Sequence, residues 1–116
     1  MLKVLVSDPL AKEGIKILEA EKSIKVDIKP KLPPEELKKI IKDYDGLIIR
    51  SETKATEEII NAADRLKVIG RAGVGLDNVD IKAASKKGII VLNAPAGNTI
   101  STAEHTMSMI LAMSRN

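Results

Sequence analysis

Short runs of Val, Ile and Leu alternate along the chain with longer segments in which apolar residues recur at helical spacing. Continuous apolar runs of this length are typical of strands that are buried on both faces of a parallel sheet. The predicted strands are Lys3–Ser7, Ile24–Lys29, Gly46–Arg50, Lys67–Gly70 and Ile89–Asn93.

Helices are predicted between these strands and after the last one. The first helix carries Leu10, Gly14, Ile17 and Leu18, and the second carries Leu37, Ile40 and Ile41 behind Pro33 and Pro34. The third carries Ile59 and Ile60 behind Thr56, the fourth covers Ile81 to Lys86, and the fifth runs from Ser101 onward. Proline favours a helix start, and Gly88 is placed to end the fourth helix. Ser101 and Glu104 have the S-x-x-E spacing of a capping box, which predicts that the last helix begins at Ser101.

The alternation of strand and helix predicts the fold class. Five such alternations favour an α/β, flavodoxin-like, doubly wound parallel sheet of five strands in the order 2-1-3-4-5, with helices on both faces. The length of 116 residues suits one domain. The final segment has neither a glycine cap nor a polar tail, so we expect the natural protein to continue past Asn116.

Composition removes several classes of function. The chain has no cysteine, a single histidine (His105) and a single aromatic residue (Tyr44). Thiol chemistry, a Cys- or His-rich metal site and a base-stacking platform are therefore not expected. The net charge is only +3, and acidic and basic residues alternate along the chain, so no nucleic-acid partner is predicted. No apolar run is long enough for a membrane span and no secretory leader is visible, so the expected location is the cytoplasm.

The glycine-rich stretch GRAGVGLDNVD follows the fourth predicted strand. A dinucleotide-binding turn has the pattern G-x-G-x-x-G and an acidic residue about 20 positions further on. Asn78 stands where the third glycine is required, and Asn and Ala stand near position 93, where the acid is required. The stretch alone therefore does not predict an NAD site, and glycines that only permit positive φ are the alternative.

Basic side chains stand where two neighbouring strands end. Arg50, followed by Ser51, ends the third predicted strand, and Arg71 follows the fourth. Ligands of doubly wound sheets bind outside the carboxyl ends of the strands, and guanidinium groups bind carboxylates and phosphates with two hydrogen bonds. Gly73 would let backbone N–H groups approach such an anion. The alternative is that Glu52 pairs with Arg50 and Asp77 with Arg71.

Two further polar residues are candidate ligands or catalysts. Asn98 precedes the last helix, where its amide can hold a carboxylate or simply stabilise a turn. His105 has no carboxylate partner at a defined spacing, so it is not predicted to be a general base.

Three long stretches, DGLIIRSETKAT, LKVIGRAGVGLDNVDIKAASKKGIIVLNAP and GNTISTAEHTMSMILAMSRN, resemble the D-isomer-specific 2-hydroxyacid dehydrogenases, which are NAD-dependent. The resemblance covers the whole chain but only the first part of the family's enzymes. It implies that Arg50, Ser51, Arg71 and Asn98 contact the substrate and that Gly73 and Val74 face the nicotinamide.

The resemblance also implies a domain plan. Residues 1–100 would form the substrate-binding domain, and residues 101–116 a crossover helix toward a Rossmann domain that binds NAD. The family's catalytic arginine, glutamate and histidine lie beyond Asn116, so the chain alone is predicted to be inactive and to contain no catalytic residue. The parent enzyme is expected to be a homo-oligomer. Apolar residues of the last helix, including Met107 and Ile110, are expected to be exposed in this chain.

Two arginines favour a doubly anionic ligand, and together with this preference the resemblance implies a small phospho-hydroxy acid as the substrate. Glyoxylate, hydroxypyruvate and other 2-keto acid reductases of the family remain alternatives. A receiver domain has the same alternation of strands and helices, but it needs an aspartate after strand three and a lysine after strand five. Arg50 and the pair Asn93-Ala94 stand there instead. A free-standing anion-binding regulator is the remaining alternative.

Overall fold

A computed structural model describes residues 2–73, 75, 77–94 and 99–114 of the chain. The strands are β1 (Leu2–Val6), β2 (Ile24–Ile28), β3 (Gly46–Ile49), β4 (Val68–Arg71) and β5 (Ile90–Asn93). The helices are α1 (Lys12–Ala20), α2 (Pro34–Ile40), α3 (Glu57–Ala62), α4 (Ile81–Lys86) and α5 (Thr99–Ser114), and a short 3-10 turn, Ile41–Asp43, follows α2. The predicted strand boundaries lie within one residue of those observed.

The five strands form one parallel sheet in the order β2-β1-β3-β4-β5, which confirms the predicted fold class. The central strand β3 is buried along its whole length, whereas the edge strands β2 and β5 are partly exposed. This difference explains why polar residues such as Lys25 and Asp27 are tolerated in β2 but not in β3.

Helices cover the two faces of the sheet unequally. Leu47 and Ile69 belong to one apolar cluster together with residues of α2, α3 and α4, and Ile48 and Val68 belong to a second cluster with α1 and α5. Successive residues of a strand point to opposite faces, so β3 and β4 contribute to both clusters. In the described part of the chain, no helix has the length and apolar character that a membrane span requires.

Local capping follows the sequence in three helices. Pro34 opens α2, and the Thr56 side chain accepts a hydrogen bond of 3.4 Å from the Ile59 N–H at the start of α3. α4 is followed by Gly88, whose φ of +75° lies in the left-handed region that favours glycine. These three predictions are confirmed.

The last helix corrects two predictions. α5 already contains Thr99, so Ser101 lies inside the helix and the predicted capping box at Ser101 and Glu104 is wrong. Ile110 has no exposed surface and Met107 packs against the second apolar cluster, so the predicted exposure of this helix is wrong for its inner face. The reason is that α5 itself covers the sheet, beside α1.

α5 approaches the sheet closely because β3 and β4 have glycines beneath it. A Cβ at Gly46 would collide with Ile110, and a Cβ at Gly70 would collide with the Thr106 hydroxyl. A helix can reach the backbone of a strand only where no side chain intervenes. These glycines are therefore a packing requirement of the sheet and not a ligand motif.

Candidate functional site

The candidate site lies at the carboxyl edge of the sheet, where β1, β3 and β4 end next to one another. Ile49 pairs with Arg71 across β3 and β4, so Arg50 follows directly beside Arg71 on the neighbouring strand. Arg71 also pairs with Asn93 of β5. The backbone therefore brings the two predicted arginines to one edge, as expected for parallel strands.

The segment 50–53 after β3, called here the 50–53 loop, is held by a buried carboxylate. Asp8, which follows β1 and is 2% exposed, accepts hydrogen bonds from the backbone N–H of Arg50 at 2.6 Å and of Thr53 at 3.0 Å. The Thr53 hydroxyl donates to the other oxygen of Asp8 at 2.6 Å and lies 2.9 Å from the Ser7 hydroxyl. Hydrogen bonds to a carboxylate are stronger than neutral ones, so Asp8 fixes the backbone of the loop.

The side chain of Arg50 is exposed above this loop. One terminal nitrogen donates to the Pro9 carbonyl at 3.5 Å, a distance at the weak limit of a hydrogen bond. Pro9, Arg50, Ser51 and Glu52 line a cavity of about 260 Å³. Ser51 is exposed in the same cavity, so a polar ligand there would find both a guanidinium and a hydroxyl.

The side chain of Arg71 is half-buried and firmly held. Its Nε donates to the side-chain oxygen of Asn78 at 2.6 Å. Its Nη1 lies where a Cβ of Gly73 would stand, so any larger residue at position 73 would displace the guanidinium. Gly73 thus leaves room for the guanidinium in this position, and its φ is not in the left-handed region.

The predicted competing ion pairs are not formed. Among the residues that the structure describes, Arg50 makes no ion pair with Glu52, and Arg71 none with Asp77. The side chain of Arg65 instead pairs with the buried Asp45, at 3.2 Å, near the start of β3. Because Arg50 and Arg71 have different neighbours, Pro9 and Asn78, a pocket shared by their guanidiniums stays a prediction.

Two of the predicted site residues, Val74 and Asn98, lie outside the described residues. Their assignments to the nicotinamide and to the substrate stay predictions. His105 is described and exposed on α5.

The described residues of the turn after β4 do not fit the pyrophosphate of a dinucleotide. In a pyrophosphate-binding turn, a helix starts directly after the glycines, and its first N–H groups face the phosphates. Here α4 begins only at Ile81, behind a segment tied down by Asn78, and the open side of Gly73 is filled by Arg71. The described part of this turn therefore lacks the form of a pyrophosphate-binding loop.

Sequence reasoning missed Asp8 and Asn78. Both make short hydrogen bonds to the backbone of the 50–53 loop. Asp8 had a readable signal, since a polar Ser-Asp pair directly follows the apolar run of β1. In the sequence, Asn78 shows only as a mismatch to the glycine motif. Its contacts with the 50–53 loop span 25 and 28 residues of sequence, which local patterns do not reveal.

Comparison with known families gives one match over nearly the whole chain. Residues 4–115 match the family model described as "D-isomer specific 2-hydroxyacid dehydrogenase, catalytic domain".

Curated relatives carry a common name. The chain is 53% identical over 116 residues to the D-3-phosphoglycerate dehydrogenase of Methanocaldococcus jannaschii, covering 100% of this chain and 22% of that protein. It is 50% identical over 113 residues to the human D-3-phosphoglycerate dehydrogenase, covering 97% of this chain and 21% of that protein. The chain thus spans about a fifth of the length of these relatives.

Solved structures share the fold. A protein from Pyrococcus horikoshii OT3 superimposes with a TM-score of 0.78 at 35% identity, covering 99% of this chain and 34% of that one. The NAD+-bound 3-phosphoglycerate dehydrogenase of Entamoeba histolytica superimposes with a TM-score of 0.71 at 39% identity, covering 79% of this chain and 32% of that one.

Proposed function

The chain belongs to the D-isomer specific 2-hydroxyacid dehydrogenase family, and from this premise we propose that it is the substrate-binding part of an NAD-dependent D-3-phosphoglycerate dehydrogenase. Such an enzyme oxidises 3-phosphoglycerate to 3-phosphohydroxypyruvate, the first step of serine biosynthesis. The observation that carries the proposal is the pair Arg50 and Arg71, on adjacent strand ends, in a chain 53% identical to a relative of that name.

The chemistry of the substrate suits this edge. 3-Phosphoglycerate has a carboxylate at one end and a phosphate at the other, and each group accepts two hydrogen bonds from a guanidinium. Arg50 is exposed and weakly engaged, and Arg71 is half-buried and directed by Asn78. An exposed and a held cation on adjacent strand ends favour a small acid with two anionic groups over a singly charged 2-hydroxy acid such as glycolate.

The remaining assignments complete the proposal. Ser51 and Asn98 would add substrate contacts, and Gly73 and Val74 would face the nicotinamide of an NAD molecule held mainly by another domain. Residues 1–100 would be the substrate domain, and residues 101–116 the start of the crossover. The parent enzyme would be a cytoplasmic homo-oligomer, and its catalytic groups would lie outside this chain.

The proposal is tested with the full-length enzyme that contains this chain. We expect a higher kcat/KM for the oxidation of 3-phosphoglycerate than for the reduction of glyoxylate or hydroxypyruvate. Arg50→Ala and Arg71→Ala should each lower kcat/KM for 3-phosphoglycerate about ten- to a hundredfold, the effect of losing hydrogen bonds between charged groups. Lys86→Ala, which removes an exposed charge from α4, is the matched control and should leave kcat/KM unchanged.

Two results would count against the proposal. An enzyme that prefers glyoxylate, or one indifferent to Arg50→Ala with 3-phosphoglycerate, does not use this edge as proposed. The purified 116-residue chain should show no NAD-dependent oxidation, and measurable turnover by it would place catalytic groups inside the chain.

A further inference from the structure

Asn78 makes three short hydrogen bonds with a single side-chain amide. Its oxygen accepts from Nε of Arg71 at 2.6 Å, and its nitrogen donates to the carbonyls of Arg50 at 2.6 Å and of Thr53 at 2.7 Å. An amide has two N–H donors, and both are used here. The residue therefore connects the turn after β4, the 50–53 loop and the guanidinium of Arg71.

The 50–53 loop is consequently held from two sides. Asp8 accepts from the backbone N–H groups of Arg50 and Thr53, while Asn78 donates to the carbonyls of the same two residues. The backbone N–H and C=O groups of the two end residues of the loop are thereby satisfied by two side chains. The starting point of the Arg50 side chain is fixed by these bonds.

The bond to Asn78 also selects which edge of Arg71 is available. A guanidinium can bind an anion side-on, through Nε and one terminal nitrogen, or end-on, through its two terminal nitrogens. Nε is engaged by Asn78, and Nη1 lies against the backbone of Gly73. The side-on edge, which needs Nε, is thus closed, and Nη2 is the terminal nitrogen left to meet a carboxylate or phosphate.

We propose that Asn78 is a positioning residue, which sets the direction of the Arg71 guanidinium and the place of Arg50 together, so that a small acid with two anionic groups meets both. This inference rests on the proposed function, and it adds a residue that touches neither substrate nor cofactor. The alternative is that Asn78 only stabilises the turn, in which case all substrates would suffer equally from its loss.

A first experiment tests the geometry without any activity. In the 116-residue chain, labelled arginine side chains are followed by NMR, and the Hε proton of Arg71 should exchange more slowly than that of Arg50. Asn78→Ala should abolish this protection, whereas Asn78→Asp, which retains an acceptor oxygen, should keep it. Equal exchange at both arginines of the unmodified chain would overturn the inference.

A second experiment tests the role in the full-length enzyme. With 3-phosphoglycerate, Asn78→Ala should raise KM by about tenfold or more and change kcat less. D-Glycerate, which lacks the phosphate, should lose much less, so the preference for the phosphorylated substrate should collapse. Asn78→Asp should also raise KM. The new carboxylate repels the carbonyls of Arg50 and Thr53, and it places a negative charge beside the Arg71 guanidinium. Asn61→Ala, at an exposed asparagine of α3, is the control.

The outcomes separate the two hypotheses. If the unmodified enzyme does not oxidise 3-phosphoglycerate, the proposed function fails, and the exchange measurement alone decides whether Asn78 orients Arg71. If the enzyme does oxidise it but Asn78→Ala lowers kcat/KM equally for both substrates, the proposed function stands and the positioning role is refuted.

Discussion

Replacing Gly70 with alanine should loosen α5 from the sheet. An added Cβ would collide with the hydroxyl of Thr106 and would lie 3.1 Å from the Cγ2 atom of Thr102. Thr102 and Thr106 are 2% and 0% exposed, so neither side chain can swing into solvent without moving the helix. The substitution is therefore a direct test of whether α5 covers β4.

The expected cost follows from overpacking. Forcing one methyl group into a filled interface destabilises a protein by about 1–3 kcal/mol. For a chain of this size, each kcal/mol lowers the melting temperature by roughly 4 °C. Gly75→Ala is the matched control, because its Cβ would meet only the Asp77 carboxylate, at 3.9–4.0 Å. The free energy of unfolding, measured by urea titration and circular dichroism, should change by less than about 0.5 kcal/mol in the control.

A second substitution makes the test specific. The Thr106 hydroxyl is buried and has no hydrogen-bond partner among the described residues. Thr106→Ala alone should be nearly neutral, since the small cavity it creates is offset by the loss of an unsatisfied polar group. In the Gly70→Ala background it should restore about 0.5–3 kcal/mol, the range of coupling between touching residues. If Gly70→Ala behaves like Gly75→Ala, or if Thr106→Ala restores nothing, α5 does not occupy this position.

Two further predictions concern groups away from the site. Lys87 donates three hydrogen bonds, of 3.1–3.2 Å, to the carbonyls of residues 60, 61 and 63 at the end of α3, so Lys87→Met should cost about 1 kcal/mol in urea unfolding. Lys86→Met should cost little, and equal effects would refute this capping role. Burial, followed by the hydrogen bond and charge of Asp27, raises the pKa of Tyr44. Because the neutral form is favoured in the folded state, this contribution to stability is present below a pH of about 10 and is lost as the pH rises further. Tyr44 is the only tyrosine and there is no tryptophan, so tyrosinate absorbance should appear at higher pH in the native than in the denatured chain, and coincident curves would refute this.

The strands were predictable because burial on both faces demands uninterrupted apolar residues. Ile48 and Ile49 of β3 are fully buried on opposite faces, and no polar residue can occupy either position without a partner. The shared position of Arg50 and Arg71 at one edge of the sheet was also predictable, because all strands of a parallel sheet end at the same side. Once the strand order was predicted, the adjacency of these two residues followed without further information.

The environment of the arginines was not predictable in the same way. Asp8 and Asn78 act on the 50–53 loop across 42 and 28 residues of sequence, respectively. Polar side chains in turns usually bond to their own backbone. The Ser-Asp pair after β1 therefore marked Asp8 without indicating its partners, and nothing local marked Asn78. Similarly, the exposure of Ile110 depended on whether α5 returns to the sheet, which helical periodicity alone does not decide.

The contact between α5 and the sheet is directly linked to the candidate site, because Gly70, which lies under α5, and Arg71 are consecutive residues of β4. The carbonyl of Arg71 accepts hydrogen bonds from the N–H groups of Gly73 and Ala94, each at 3.1 Å, and a weak one from Thr102 of α5 at 3.5 Å. The backbone of Arg71 is thus held by its own turn, by the end of β5 and by α5, while Asn78 holds its side chain. A perturbation that lifts α5 removes one of these supports directly behind the guanidinium. Loss of stability at Gly70 should therefore be accompanied by weaker anion binding, whereas a comparable loss at Lys87, which acts on the far end of α3, should not.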